Sequence, residues 1–146
     1  MKIKFDIQKK YKEPEIHICT DSKNEQAQML YQTISGMVNK SYTVYDGQTA
    51  VILPVSDIVR IYAYSKKVYV RTREQEYEIR ERLYTLEEEL ASKGFVRISN
   101  SEIVNIRCIN RLDTSHAGTI KMYFKNRDET YVSRRYVGKI KTVLGI

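Results

Sequence analysis

The sequence predicts a mainly β protein, α+β overall, in which an antiparallel sheet carries a few small helices. Three features of the 146 residues support this class. Most of the chain consists of short runs that alternate apolar and polar side chains, as half-buried strands do. Turn-forming residues separate these runs at short intervals, and Asp46-Gly47 is the clearest hairpin signal among them. Helical spacing of apolar residues occurs in only three segments.

The first 48 residues predict a short β-β-α module. Its two strands would span residues 2–7 and 15–20, in which isoleucine or phenylalanine alternates with polar residues. Its helix would begin at Ser22 and Glu25, a capping-box pair, and would present an apolar stripe at steps of four residues: Leu30, Ile34 and Val38. Because so short a unit leaves strand edges exposed, we expect it to cover an edge of the following domain or to form a homodimer.

Residues 49–146 predict one domain of short antiparallel strands and two small helices. The strands form hairpins whose turns fall at residues 65–67 and 126–128, where polar residues interrupt the alternation. The first helix would span residues 81–93 and end at Gly94, because glycine readily adopts the left-handed conformation that terminates helices. The second would begin at Ser133, a preferred N-cap residue.

The composition favours a protein of the reducing cytoplasm that does not insert into a membrane. The chain has two cysteines, too few for a disulfide scaffold, and its first residues include no apolar segment of the kind that a secretory signal requires. No apolar run approaches the ~20 residues that are needed to span a bilayer.

Positive charge is concentrated in the last third of the chain. The net charge is +7, and residues 95–146 contain ten basic and four acidic residues, so this third contributes +6. A localised positive field favours a polyanionic partner, because binding to phosphates releases condensed counterions. Charge by itself leaves open the interpretation that this is a basic surface without a partner.

Patterns for catalysis and for metal binding are weak, so we predict no enzyme, no metal site and no cofactor. His17 and Cys19 would lie on the same face of a strand, but no second ligand pair has zinc-like spacing. His116 lies in a turn, and residues 87–89 are consecutive glutamates that diverge around a helix. An enzyme acting on nucleic acid would depend on three acidic residues in turns: Asp113, Asp128 and Glu129.

Basic, amide and hydroxyl side chains gather where predicted strands and helices begin or end. One group is the hairpin turn at Lys66 and Lys67, and another opens the last helix at residues 133–135. The third group lies at the end of a strand and just after it: Arg97, Ser99, Asn100 and Ser101. Asparagine and arginine can read adenine and guanine, whereas lysine and serine more often hold phosphates. The N–H groups at a helix start attract a phosphate, although pairing of the two arginines there with acidic side chains is an equally open interpretation.

Two stretches of the sequence, FVRISNSEIVNI at residues 95–106 and YFKNRDETYVSRRYVGKI at residues 123–140, resemble the LytTR DNA-binding domain of bacterial transcription regulators. The segments SDIVRIYA at residues 56–63 and KKVYVRT at residues 66–72 precede them in the order that this family shows. The resemblance covers approximately residues 52–144.

This resemblance implies an elongated antiparallel sheet whose loops enter successive major grooves along one face of DNA. It assigns base contacts to the first hairpin turn, at Lys66 or Lys67, and to Asn100 and Arg135, because relatives read bases from these places. The remaining polar residues of the three groups are the implied phosphate contacts: Lys67, Arg97, Ser99, Ser101, Ser133 and Arg134.

The first 48 residues are too few for the phosphorylated receiver domain, roughly 120 residues long, that precedes this domain in well-known relatives. The chain therefore resembles stand-alone LytTR regulators. This implies double-stranded DNA as the partner and a membrane protein as a regulator, while the homodimer is expected from the exposed strand edges of the first module. The alternative is a module that binds another ligand or a protein on the same scaffold, which need not show the steep salt dependence of phosphate contacts.

Overall fold

The computed structural model of the chain describes residues 4, 6–12, 14–22 and 24–146, and of residues 37–39 it describes the backbone. The chain divides into two compact units, residues 1–38 and residues 39–146. No helix in the described part of the chain combines the length and the apolar character needed to cross a membrane.

The regular structure described in the first unit is a helix, α1, which spans Glu25–Asn39. Asn24 caps this helix, since its Oδ1 accepts a hydrogen bond from the Ala27 amide at 2.8 Å. The predicted cap at Ser22 is therefore wrong by two residues. Asn24 is an equally good capping residue and directly precedes the first helical residue, so its side chain reaches the amides of the first turn.

The two strands predicted before α1 are not found where the structure describes the chain. Residues 15–20 lie within the fully described range 14–22 and pair with no strand. Ile16 is 66% exposed, so its side chain does not pack into a core. Of the earlier strand, Ile3 and Phe5 lie outside the described residues. An isolated two-stranded hairpin is marginally stable in water, which accounts for this correction.

The second unit is built on a seven-stranded antiparallel sheet. In chain order its strands are β1 (Ser41–Asp46), β2 (Thr49–Pro54), β3 (Arg60–Tyr64), β4 (Lys67–Arg71), β5 (Glu76–Ile79), β6 (Phe95–Ser99) and β7 (Glu102–Asn105). In space they follow the order β2-β1-β5-β4-β3-β7-β6. β1 pairs along its whole length with β2 and also meets β5, so this compact unit begins at residue 39, and the predicted division into domains between residues 48 and 49 stays a prediction.

A smaller antiparallel sheet and two helices complete this unit. The three strands are β8 (Ile109–Asp113), β9 (Ile120–Phe124) and β10 (Glu129–Val132), with β9 in the middle. The helices are α2 (Leu83–Leu90) and α3 (Arg134–Leu144). A 3₁₀ turn over residues 91–93 follows α2, and Gly94 ends it with a φ of +83°. The predicted fold, mainly antiparallel β with small helices, is confirmed.

Two hydrophobic clusters lie on opposite faces of the seven-stranded sheet, because neighbouring residues of β6 and of β7 point to opposite sides. The α2 cluster includes these fully buried residues: Val44, Ile58, Ile61, Val70, Leu86, Leu90 and Ile103. The α3 cluster includes these, buried against the small sheet and α3: Val96, Ile98, Val104, Ile120, Met122, Phe124, Val132 and Ile140. All four residues of β7 are buried, so the β6–β7 turn projects from a strand pair that is packed on both faces.

Candidate nucleic-acid interface

Three polar segments of the second unit are joined at one edge by backbone hydrogen bonds. The Ala63 amide donates to the Ser101 carbonyl at 2.8 Å, which connects the β3–β4 hairpin to the β6–β7 turn. The Ser133 amide donates to the Ile98 carbonyl at 2.9 Å, which connects the end of β6 to the start of α3. We call these segments together the basic edge: residues 65–67, 99–101 and 133–135.

Asn100 lies at the tip of the β6–β7 turn and is exposed. The Tyr136 hydroxyl donates a hydrogen bond to the Asn100 Oδ1 at 3.2 Å, so this amide is held beside α3. Next to it, the Ser101 amide donates to the Ser99 Oγ at 3.2 Å. Tyr136 is absent from the predicted site residues. Its position one turn after the N-cap Ser133 is the sequence signal that places it near the helix start.

Arg134 and Arg135 form the first helical residues of α3, and both side chains are exposed. Neither forms a hydrogen bond or an ion pair with any described residue, so the alternative in which they pair with acidic side chains does not occur there. Ser133 occupies the N-cap position without a side-chain capping bond, and the first turn contains no acidic residue. The positive end of this helix is therefore open to an anion.

The two lysines at the β3–β4 turn differ in their contacts: Lys66 is exposed, and Lys67 pairs with Glu78. Ser65 and Lys66 have φ values of +49° and +65°, so both central residues are left-handed, as in the type I′ turns of tight hairpins. Lys66 is exposed at this tip. Lys67 begins β4, and its Nζ donates to the Glu78 carboxylate at 2.8 Å, an interaction that raises the pKa of Lys67.

Arg97, a predicted phosphate contact, has a side chain that is only 15% exposed. Its Nη1 donates to Glu87 of α2 at 2.7 Å, and its Nε donates to the Ser99 carbonyl at 2.9 Å. Its Nη2 donates to the Asn100 carbonyl. The structure thus turns this guanidinium towards the protein, in contact with the segment that carries Asn100.

An ionic network links the β9–β10 hairpin to the seven-stranded sheet. Asp128 accepts a hydrogen bond from Arg71 at 3.0 Å, and its carboxylate lies 3.5 Å from the Arg60 Nε, which has no hydrogen-bond partner. Arg60 also donates to Glu102 at 2.9 Å, and Glu102 accepts from the Thr130 hydroxyl at 2.8 Å. Burial favours a higher pKa for Asp128, but hydrogen bonding from Arg71 and the charges of both arginines outweigh it, so the pKa lies below its ordinary value.

The histidines and cysteines do not assemble into a metal site. His17 lies 2.9 Å from the Glu15 carboxylate, and Cys19 near it in sequence is exposed. His116 lies 3.8 Å from Asp113 in an exposed turn. Among the residues that the structure describes, no group of three or more histidine, cysteine, aspartate or glutamate side chains could hold a metal ion.

The acidic residues that an enzyme would need are engaged separately. Asp113 accepts a hydrogen bond from the Ser115 hydroxyl at 2.6 Å. Glu129 pairs with Lys121 at 3.0 Å, and Asp128 belongs to the ionic network. These contacts occupy the carboxylates with neighbouring side chains, and none of them is part of the basic edge.

Comparisons with known proteins identify the family. The sequence profile described as the LytTr DNA-binding domain matches residues 48–145. The chain is 36% identical over 148 residues to a protein of Staphylococcus aureus (strain bovine RF122 / ET3-1) described as an uncharacterized HTH-type transcriptional regulator, covering 100% of this chain and 99% of that protein. A similarly described protein of Staphylococcus aureus (strain NCTC 8325 / PS 47) is 35% identical with the same coverage.

A solved structure of a LytTr DNA-binding domain from Bacillus cereus has a similar fold. Its TM-score is 0.70 at 24% sequence identity, and the match covers 74% of this chain and 99% of that chain. Within residues 24–146, five strands separate each helix from the next. This arrangement differs from a helix-turn-helix motif, in which a short turn joins two consecutive helices.

Proposed function

Because this chain belongs to the LytTr DNA-binding domain family, we propose that it is a transcription regulator that reads specific sequences of double-stranded DNA through the basic edge. The observation that supports this proposal most is that exposed Asn100 and exposed Arg135 lie on neighbouring segments, connected through Tyr136. Both side chains can hydrogen-bond to base edges in a major groove. The segments project from packed elements, which fixes their relative positions.

We assign direct base contacts to Asn100, Arg135 and Lys66, and the segments that carry them would meet successive major grooves, with Lys66 on one side and Asn100 and Arg135 together on the other. Five residues of the basic edge would contact phosphates and set the register on the duplex: Lys67, Ser99, Ser101, Ser133 and Arg134. Arg97 is not included, because its guanidinium is engaged by Glu87 and by backbone carbonyls. Its predicted role as a phosphate contact is replaced by the one proposed in the next subsection.

Selection of bound fragments from a random duplex pool, with the full chain, tests this function. We expect one enriched sequence and an affinity whose logarithm falls with the logarithm of salt by about 0.9 for each phosphate contacted. A protein-interaction module on the same scaffold would enrich no sequence and would bind DNA without this slope. The absence of enrichment at low salt would therefore reject the proposal in favour of that alternative.

The proposal also includes a homodimer that forms through the first unit, in a cytoplasmic protein that a membrane protein regulates. Exposed Ile16, Met29 and Tyr31 support the dimer, because an apolar contact would remove them from water. Light scattering should report a dimer for the full chain and a monomer for residues 39–146. If the two share one oligomeric state, the first unit is not the dimer contact. Co-purification of membrane proteins with the tagged full chain tests the remaining part.

A further inference from the structure

Strand β6 contains an irregularity immediately before the turn that carries Asn100. The register with β7 shifts between Arg97 and Ser99, so β6 has one more residue than its partner at this point. A bulge of this kind locally interrupts the ladder and redirects the chain that follows it. The carbonyls of residues 99 and 100 follow this irregularity directly and lie within reach of the Arg97 side chain.

The Arg97 side chain contacts both this turn and α2. Its Nε and Nη2 donate to the carbonyls of Ser99 and Asn100, and its Nη1 donates to the Glu87 carboxylate. Glu87 belongs to α2, and its side chain is 34% exposed where that of Arg97 is 15% exposed. One guanidinium therefore ties the Asn100 turn to a helix that is packed on the sheet.

The Asn100 side chain is held separately from its backbone. The Tyr136 hydroxyl donates to its Oδ1 at 3.2 Å, and the fully buried Ile140, one turn further along α3, keeps this helix on the α3 cluster. Arg97 thus orders the turn, and Tyr136 orders the amide that the turn carries. An ordered side chain loses less conformational entropy when it binds, which strengthens and sharpens recognition.

We propose that Arg97 is a positioning residue for base reading: held by Glu87, it fixes the Asn100 turn, and Tyr136 fixes the Asn100 amide. This inference rests on the proposed function, since it assigns the base contact to Asn100. It differs from a phosphate role for Arg97 in three measurable ways: the importance of the fork-shaped guanidinium, the sequence discrimination, and the salt dependence.

The first experiment needs no DNA. Nitrogen-15 relaxation of the full chain should give the amides of Asn100 and Ser101 order parameters of about 0.85, as in a rigid backbone, and Glu87→Ala should lower them to about 0.6. Glu88→Ala is the matched control, because Glu88 is exposed on the same helix and contacts none of the described residues through its carboxylate. Unchanged order parameters in Glu87→Ala would overturn the clamp, whatever the protein binds.

The second experiment uses the selected duplex and a duplex altered at the base that Asn100 reads. Arg97→Lys keeps the positive charge but cannot reproduce the three-way contact. We expect it to reduce the discrimination between the duplexes about tenfold and to leave the salt slope unchanged. In an Asn100→Ala background, Arg97→Lys should cause no further loss of discrimination. If Arg97→Lys retains discrimination, and Arg97→Ala lowers the slope by about 0.9 on any duplex, Arg97 is a phosphate contact and the proposal is wrong.

Glu87→Ala gives a test in which the direction of the change in DNA affinity is informative. Removal of a negative charge from a DNA-binding protein should tighten binding if only long-range electrostatics matters. The clamp predicts weaker binding to the selected duplex, whereas Glu88→Ala should show the electrostatic gain alone. Thermal unfolding of each variant verifies that it is folded at the assay temperature. If wild type selects no duplex, the proposed function fails, and the relaxation measurement still decides whether the clamp exists.

Discussion

The α2 cluster and the α3 cluster share one sheet but are assembled from different parts of the sequence. Buried residues of the α2 cluster come from positions 42–103, where consecutive strands form hairpins and α2 follows directly. The α3 cluster combines Val59 and β6–β7 with three later strands and the last helix. The first cluster is a scaffold of mostly local pairings, while the second brings a distant helix back to β6. The basic edge depends on that second, non-local packing.

The largest expected change in the free energy of unfolding comes from truncating a buried side chain in either cluster. Ile140→Ala in the α3 cluster and Leu86→Ala in the α2 cluster each remove a fully buried side chain, so each should lower the free energy of unfolding by about 2–5 kcal/mol. Urea unfolding measures both. Only Ile140→Ala should also weaken DNA binding at a temperature where both variants are folded, because it loosens the helix that carries Arg135. Equal DNA affinities would show that the α3 cluster has no special role in the edge.

The next effect concerns the ionic network that joins the small sheet to the large one. Asp128→Asn removes the charge that Arg71 and Arg60 face, and it should lower the free energy of unfolding by about 1–3 kcal/mol at neutral pH. Since the pKa of Asp128 is lowered by folding, its contribution is present above the unfolded-state pKa of about 3.9 and is lost as pH falls through the lower folded value. Unfolding from pH 7 down to pH 2 should thus show the difference between variant and wild type shrinking below about pH 4. A constant difference would contradict this.

Arg135→Ala tests the DNA contact made by α3. It should weaken the free energy of binding to the selected duplex by about 1–3 kcal/mol and relax the sequence preference at one base position, without a change in the free energy of unfolding. Lys141→Ala is the control, because Lys141 is an exposed cation at the other end of the same helix. Fluorescence anisotropy with selected and random duplexes measures both. Equal losses on the two duplexes would make Arg135 a phosphate contact instead.

The smallest effect is expected at the β3–β4 turn, whose tip is held by its own hairpin and by one bond from Ala63 to Ser101. Lys66→Ala should lower the affinity for the selected duplex a few-fold, as the loss of one base or phosphate contact would. Lys67→Ala should lower it less, because Lys67 is already paired with Glu78. Salt titrations of both variants measure this. A larger loss for Lys67→Ala would show that DNA displaces the ion pair with Glu78.

Local signals in the sequence predicted the second unit well. Gly94 ends the 3₁₀ turn after α2 with a left-handed backbone, Ser133 precedes α3, and the hairpin near Asp46-Gly47 forms. Each of these depends on the conformational preference of one or two residues, which their neighbours in space do not override. The same reasoning failed for residues 15–20, whose alternating pattern is strand-like but has no partner in the described chain.

The candidate site was predicted in part. Asn100, Arg135 and Lys66 are exposed as expected, and whether they read bases stays a prediction. The part that sequence reasoning missed is the support around Asn100. Arg97 looks like another surface cation, and nothing in its neighbours shows that Glu87, ten residues earlier, would turn it inward.

The sequence by itself determined the class of fold, the family, and the positions of the turns and helix ends, because these follow from periodicity and from residues with strong local preferences. Tertiary structure alone decided which polar residues meet. The return of α3 to β6 brings Tyr136 to Asn100, and the packing of α2 brings Glu87 to the Arg97 guanidinium, which also contacts the carbonyls of the turn after the bulge. The physical reason is that hydrogen bonding and burial act between residues close in space, and only packing of the whole unit makes distant residues neighbours.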